Sequence, residues 1–313
     1  MKAAFFLVKG LMRPVTILIS LFVLASSILL AAEPALPAVP AVLEPLKAKI
    51  NKGWGQQKVV TLRLRADQAI TDEQWKAIET LGAKGIGIGG KAVDDEVIAR
   101  IAKMDLESLS LDGAEGMSDA CFKSIATMKS LRVVSVGHIM KKEFTGTGLA
   151  LLKDLPALER LGFGGTGAGD PAMEAVGELT QLKEFQTWHS HAKDPRNLYL
   201  LKLTSLKALE LGNGMPTYDG KPRQLSLTDE TMDTIVQLKN LERLFFTDAR
   251  LSLPALEKLK ALPNLKSLDL MQVDIPPEDI DKLRAELPNV KIQRRPPLTE
   301  AEHKRLDQFL KVP

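Results

Sequence analysis

Two adjacent stretches of this chain repeat each other in all but detail. Residues 241–264 read LERLFFTDARLSLPALEKLKALPN and residues 265–289 read LKSLDLMQVDIPPEDIDKLRAELPN. Leu241 aligns with Leu265, Leu244 with Leu268, Phe246 with Leu270 and Leu251 with Ile275. A unit of this length cannot cover its own apolar side chains, so its presence requires a stack of similar units. The starts of such units fall at Val59, Ala83, Leu106, Leu131, Leu158, Leu182, Leu206, Leu241 and Leu265, and Val290 opens a truncated tenth. Their spacings are 24, 23, 25, 27, 24, 24, 35, 24 and 25 residues. The single long step carries an insertion, residues 213–224 (NGMPTYDGKPRQ).

Each unit divides in two. The first half alternates apolar and other residues, as in VVTLRL, LESLSL, LERLGF and LKSLDL, which is the period of a strand with one buried side. Only Thr187 breaks the apolar sixth position. The second half is helical in character: Met232, Ile235 and Leu238 share one face, as do Leu256, Leu259 and Leu262. Thr71, Ser118, Thr228 and Ser252, mostly followed by acids, stand where helix starts want oxygen acceptors and negative charge. Strand and helix alternating with one hand of connection predict parallel strands inside a curved array and helices outside.

These units resemble bacterial leucine-rich repeats of the L-T-D-x-x-L type, with a layout like that of the ribonuclease-inhibitor subclass. The resemblance covers about three quarters of the chain, residues 58–293. It implies an α/β solenoid and a binding scaffold. One position departs from the family pattern. The ninth residue, usually Asn, Cys or Thr, is here Asp67, Lys91, Ala114, Ile139, Thr166, Ser190, Gly214, Ala249 and Val273, so no continuous asparagine ladder is expected.

The flanks have their own character. Residues 1–32 contain Lys2, Lys9 and Arg13 but no acid, and residues 14–32 are uncharged. That composition predicts a signal peptide or an N-terminal membrane anchor, and either one sends the repeats across the cytoplasmic membrane. The expected location is therefore periplasmic, secreted or anchored outside that membrane. Residues 33–57 hold Pro34, Pro37, Pro40 and Pro45 and are expected to form a linker and a cap, with a short helix in LKAKINKGW. Residues 294–313 are expected to form a capping helix started by a Thr299–Glu302 capping box.

The chain carries 42 basic and 39 acidic residues, and the excess of +3 equals the three charges of the leader. No basic patch supports nucleic-acid binding. GIGIGGKA (85–92) and GFGGTG (162–167) look like phosphate loops by pattern, yet their apolar residues hold strand positions of the repeat. Their glycines are expected on the exposed alternates. His138 and His189 share the eighth position two units apart, about 10 Å at normal strand spacing, too far for one metal ion. No nucleophile–base pairing appears, and no cofactor is expected. The lone Cys121 permits no disulfide within the chain.

The alternates that leave the core form the concave face. In the first five units they are mostly small; later units present larger groups, including an aromatic pair expected to be exposed among acids. The candidate contact residues for a protein partner are Gln186, Trp188, His189, Glu210, Phe245, Asp248, Asp269 and Met271; the alternatives are an envelope-anchored spacer without a specific ligand and a module that recognises a cell-wall glycan or peptide.

Overall fold

The computed structural model describes residues 36–52, 60–141, 143–189, 191–214, 224–294 and 298–310. The hydrophobic leader, Trp54, Ser190 and the middle of the insertion lie outside them. Leu36 begins the compact unit that holds all the repeats.

Among the described residues eleven strands form one sheet in which spatial order follows chain order. They are β1 (Lys49–Lys52), β2 (Val60–Arg65), β3 (Gly85–Asp94), β4 (Ser108–Gly116), β5 (Val133–Gly137), β6 (Arg160–Gly164), β7 (Glu184–Thr187), β8 (Ala208–Gly212), β9 (Arg243–Arg250), β10 (Ser267–Asp274) and β11 (Lys291–Arg294). From β2 onward every pairing is parallel. The fourth repeat positions meet in one row: Leu62, Ile86, Leu109, Val134, Leu161, Phe185, Leu209, Leu244 and Leu268. None of these side chains is more than 2% exposed. Each such burial stabilises by about 1.5–3 kcal/mol, and the row is contiguous, so no unit can slip register alone. Deeper in the core Phe122, Phe144 and Phe163 stack through three successive units at centroid spacings of 6.1 and 6.2 Å.

The N-terminal cap differs from expectation. Residues 49–52 are strand, not helix, and β1 runs antiparallel to β2. The open edge of β2 carries unpaired backbone N–H and C=O groups, and pairing them outweighs a short helix. Part of the proline-rich stretch is also cap: the 3-10 helix Ala41–Leu46 buries Leu43 and Leu46 against the core.

Behind the sheet lie α1 (Asp72–Thr80), α2 (Asp95–Ile101), α3 (Cys121–Ile125), α4 (Asp170–Gly177), α5 (Thr231–Ile235), α6 (Leu253–Glu257) and α7 (Pro277–Glu286). The units at Leu131 and Leu182 instead carry 3-10 helices, Thr147–Asp154 and Leu198–Lys202. In both a left-handed residue stands immediately before the helix, Gly146 at φ 74° and Asn197 at φ 47°. Such a residue turns the chain sharply and leaves no regular first turn. The last helix, α8 (Glu300–Phe309), has the expected capping box and buries Leu306 and Leu310. Arg250 grips its Asp307 at 2.7 Å.

The acids at the helix starts act differently from expectation. Thr71 caps its own helix reciprocally with Gln74, and Ser252 caps α6. Asp119 and Asp229, however, reach into the following unit. Asp119 accepts from the Thr145 N–H at 2.8 Å and the Thr145 hydroxyl at 2.7 Å, and Asp229 accepts from the Ser252 N–H at 2.9 Å. Asp95 does the same for Ser118, and Asp170 for Lys193 and Asp194. With a ninth column that buries Ala114, Ile139, Thr166, Ala249 and Val273, these carboxylates supply the side-chain links between units that an asparagine ladder would have supplied.

The one polar residue in the sixth column has a cost. Thr187 is 5% exposed, and its hydroxyl has no partner among the described residues. An unpaired buried hydroxyl costs about 1–3 kcal/mol. Thr187→Val is therefore expected to raise the melting temperature by about 2–4 °C, measured by calorimetry; an unchanged or lower value contradicts the assignment. Asp119→Ala is expected to destabilise by about 1–3 kcal/mol in a denaturant titration. It should also speed hydrogen exchange at the Thr145 amide while leaving the α1 amides protected.

Candidate functional site

Third, fifth and seventh residues of each unit point away from the core and build the concave face. In β3 to β6 the fifth-position row reads Gly87, Ser110, Ser135 and Gly162. These small residues floor a hollow of ≈ 580 Å³, a volume in the range of ligand pockets. Arg63 and Asn51 stand at its N-terminal end, Asp112 and His138 on one rim, and Arg160, Gln186 and Trp188 at the far end.

Glycine is required at the far wall. A methyl group on Gly164 would sit 2.7 Å from Cδ2 and 2.9 Å from Cε2 of Trp188, so the indole is laid against a residue with no side chain. Gly89 is as tightly bound in its way: a Cβ there would fall 1.7 Å from the Asp112 carbonyl oxygen. The glycines of the two phosphate-loop-like stretches that fall within β3 and β6 are buried, not exposed as expected; Gly165 and Gly167 follow β6, the first buried and the second half-buried. A glycine-rich segment held as a strand does not present the convergent N–H groups of a phosphate loop.

The eighth column explains the histidines. His138, His189, Asp248 and Gln272 have φ of 54, 49, 51 and 54°, and Gly90, Gly113 and Gly165 are also at positive φ. The chain turns off the sheet here in a left-handed conformation, which histidine, aspartate and glycine adopt more readily than most residues. His138 Nδ1 lies 2.5 Å from Asp112, and His189 Nε2 lies 3.3 Å from Asp248. Among the described residues no three His, Cys, Asp or Glu side chains gather as a metal site. Cys121 is fully buried; burial first, then the carboxylates of Asp95 and Asp119, push its thiol far above the ordinary value.

The eight expected contact residues separate into groups. Gln186 and Trp188 line the hollow. Gln186, Glu210, Phe245 and Asp269 are successive register partners and continue its row toward the C-terminal end. His189 and Asp248 are the neighbouring pair just described, and the Asp248 carbonyl accepts from buried Asn213, which also pins Leu227 on the far side of the insertion. Met271 pairs with Thr247 on β9, away from the hollow. All eight are half-buried, a correction to the exposed aromatic pair expected above. Trp188 lies on Gly164, and Phe245 is flanked by Glu210 and Asp269. Arg63, Arg160, Asn51, Asp112 and the serine floor were not singled out. Their signal was present as a column of small residues, which marks room as much as it marks lack of chemistry.

Salt bridges close the C-terminal side of the hollow. Glu184 accepts from Arg160 at 2.6 Å and from Arg243 at 2.9 Å, the latter reaching over Ala208. A larger hollow of ≈ 1040 Å³ lies along the helix starts of the last units. Within its lining Asp229 holds Ser252 and Arg250 holds Asp274.

No protein-family model matches the sequence, and no curated protein matches it significantly. Solved structures similar to the chain include human 5T4, the trophoblast glycoprotein, at 16% identity and TM-score 0.49, covering 74% of this chain and 84% of that one. Internalin C2 of Listeria monocytogenes is similar at 15% identity and TM-score 0.35, covering 75% and 80%. A leucine-rich-repeat protein of Leptospira interrogans is similar at 15% and 0.36, covering 72% and 81%. The ten-strand parallel register, with every L-x-x-L-x-L motif in its expected row, decides the architecture. The fold is a leucine-rich-repeat solenoid. Among its described residues no helix is long and apolar enough to cross a membrane.

Within this solenoid the concave acid Glu210 has a displaced titration. Burial, and secondarily the charge of Asp269, raise its pKa above the ordinary 4.5. The native state then holds the proton to higher pH than the unfolded chain, so stability falls as pH rises through the folded value. Glu210→Gln removes that loss. The variant is expected to melt about 1–2 °C higher than the parent at pH 7.5 and level with it at pH 4. A difference of equal size at both pH values contradicts the account.

Proposed function

We propose that this chain is an exported, non-catalytic scaffold that binds a protein partner through its concave face. The observation that carries the reading is the hollow itself: a rigid parallel sheet leaves a bare glycine and serine floor and ends it with an indole seated on Gly164. Close-packed sheets rarely leave such room, and aromatic side chains at the edge of a recess are typical anchors of protein contacts. In this reading the contact centres on Gln186 and Trp188. It extends along Glu210, Phe245 and Asp269, with the His189–Asp248 pair and Met271 at its margin. The uncharged, basic-flanked leader supports a location outside the cytoplasmic membrane, where the partner is met.

A photo-crosslinking residue introduced at Ser110 or Ser135, in cells of the source organism, tests this. A discrete protein adduct is expected in the envelope fraction from both concave positions and not from Lys260 on the helix side. The added double substitution Trp188→Ala, Phe245→Ala should reduce the adduct at least about tenfold, since anchor residues contribute about 2 kcal/mol or more each. Equal adducts from concave and helix sides, or indifference to the double substitution, would overturn the reading.

A further inference from the structure

The two ends of the hollow differ: Arg63 stands at the N-terminal end, Gln186 and Trp188 at the other. At the N-terminal end Arg63 stands directly across the antiparallel β1–β2 pair from Lys49, so their side chains share the concave face. Both are exposed, and neither meets an acid among the described residues. The segment joining the two strands, residues 53–59, contains no Asp or Glu. Like charges directly opposed on paired strands repel. Other concave arginines are matched: Arg160 and Arg243 by Glu184, and Arg65 by Asp67. Among the described residues the Lys49–Arg63 pair is an unanswered charge at the N-terminal end of this face.

Beyond the pair the fifth-position floor is neutral as far as Gln186, and the charged groups beside it are engaged: Asp112 lies against His138 and Arg160 is held by Glu184. Past them the same row turns acidic at Glu210 and Asp269. From Arg63 to Gln186 the row crosses five strand steps, roughly 24 Å at about 4.8 Å each. An extended peptide covers that distance with about seven residues at 3.3 Å per residue.

We propose that the hollow binds an extended peptide segment of the partner with an acidic end on Lys49 and Arg63 and an apolar side chain on Trp188. This rests on the protein-binding reading above and names what that site recognises. The acidic end answers the unmatched cations through charge-assisted hydrogen bonds. The seryl hydroxyls and the Gln186 amide can bond to the peptide backbone in between. A neutral glycan would leave the cation pair unanswered. An acidic glycan, charged along its length, would meet cations at one end only and the carboxylates of Glu210 and Asp269 near the other. The charge layout therefore favours a ligand that is anionic at one end alone.

Fluorescence anisotropy on the full chain tests the proposal with three probes, each carrying an uncharged dye. They are a pool of heptapeptides ending in Asp-Asp, the same pool ending in Asn-Asn amide, and an oligogalacturonate hexasaccharide. The Asp-Asp pool is expected to bind most tightly and to weaken as salt rises. Lys49→Gln with Arg63→Gln should weaken it about tenfold or more, as should Trp188→Ala; Lys260→Gln should leave it unchanged. The two cationic positions are exposed, so melting of their double variant serves as the control for folding. Equal binding of the two peptide pools, tighter binding of the oligogalacturonate, or no effect of the double variant overturns the proposal. If crosslinking at Ser110 traps a protein while the Asp-Asp pool fails to bind, this inference falls and the protein-binding reading stands. If both fail, both fall.

Discussion

Everything in this molecule depends on one row of apolar contacts. Leu62, Ile86, Leu109, Val134 and their successors meet side by side from β2 to β10, each supplied by a different unit and each nearly inaccessible to water. A one-residue slip in any strand would turn its fourth and sixth residues out of the core and bring its concave residues in. The register is thus fixed by hydrophobic burial, and the fixed register gives the concave columns their meaning. Gly87 faces Ser110, and Gln186 faces Glu210, only because the leucines behind them are aligned.

Units held in register still need lateral ties at their helix ends, where no strand pairing reaches. Here the ties are carboxylates. Asp95, Asp119, Asp170 and Asp229 each leave their own unit to accept backbone N–H groups of the next. The left-handed eighth column provides a second tie on the other side: the N–H groups of His138, Gly165 and His189 donate to carbonyls of Gly164, Trp188 and Asn213 in following units. Both devices are backbone-directed, so they tolerate a wide choice of neighbouring side chains. That tolerance explains how the repeat persists at the 35-residue unit, where buried Asn213 closes the base of the insertion by bonding Leu227 and Asp248.

The proposed binding face follows from the same frame. Small residues on β3 to β6 create depth, and larger ones at each end set its limits. Trp188 lies low because Gly164 leaves it a seat, which holds the indole in place at the wall of the hollow. The cations at β1 and β2 and the acids at β8 and β10 then give the face a polarity along the solenoid axis.

Period, strand positions, core rows, the Thr299 capping box and the C-terminal helix were all legible in the sequence, because each follows from local spacing repeated many times. The strand at residues 49–52 was not, since its reason is an open sheet edge that exists only after β2 has folded. The roles of Asp119 and Asp229 were half legible: an acid at a helix start is a local signal, but its partner lies a whole unit further on. The aromatic candidates Trp188 and Phe245 were found by type, and their half-burial was not foreseen. What the sequence by itself determined is the repeat and therefore the register, through the periodic placement of apolar side chains. What only the tertiary structure decided is which glycines are covered and which leave room. A missing side chain becomes a seat, a tight contact or a cavity according to neighbours that arrive from other units.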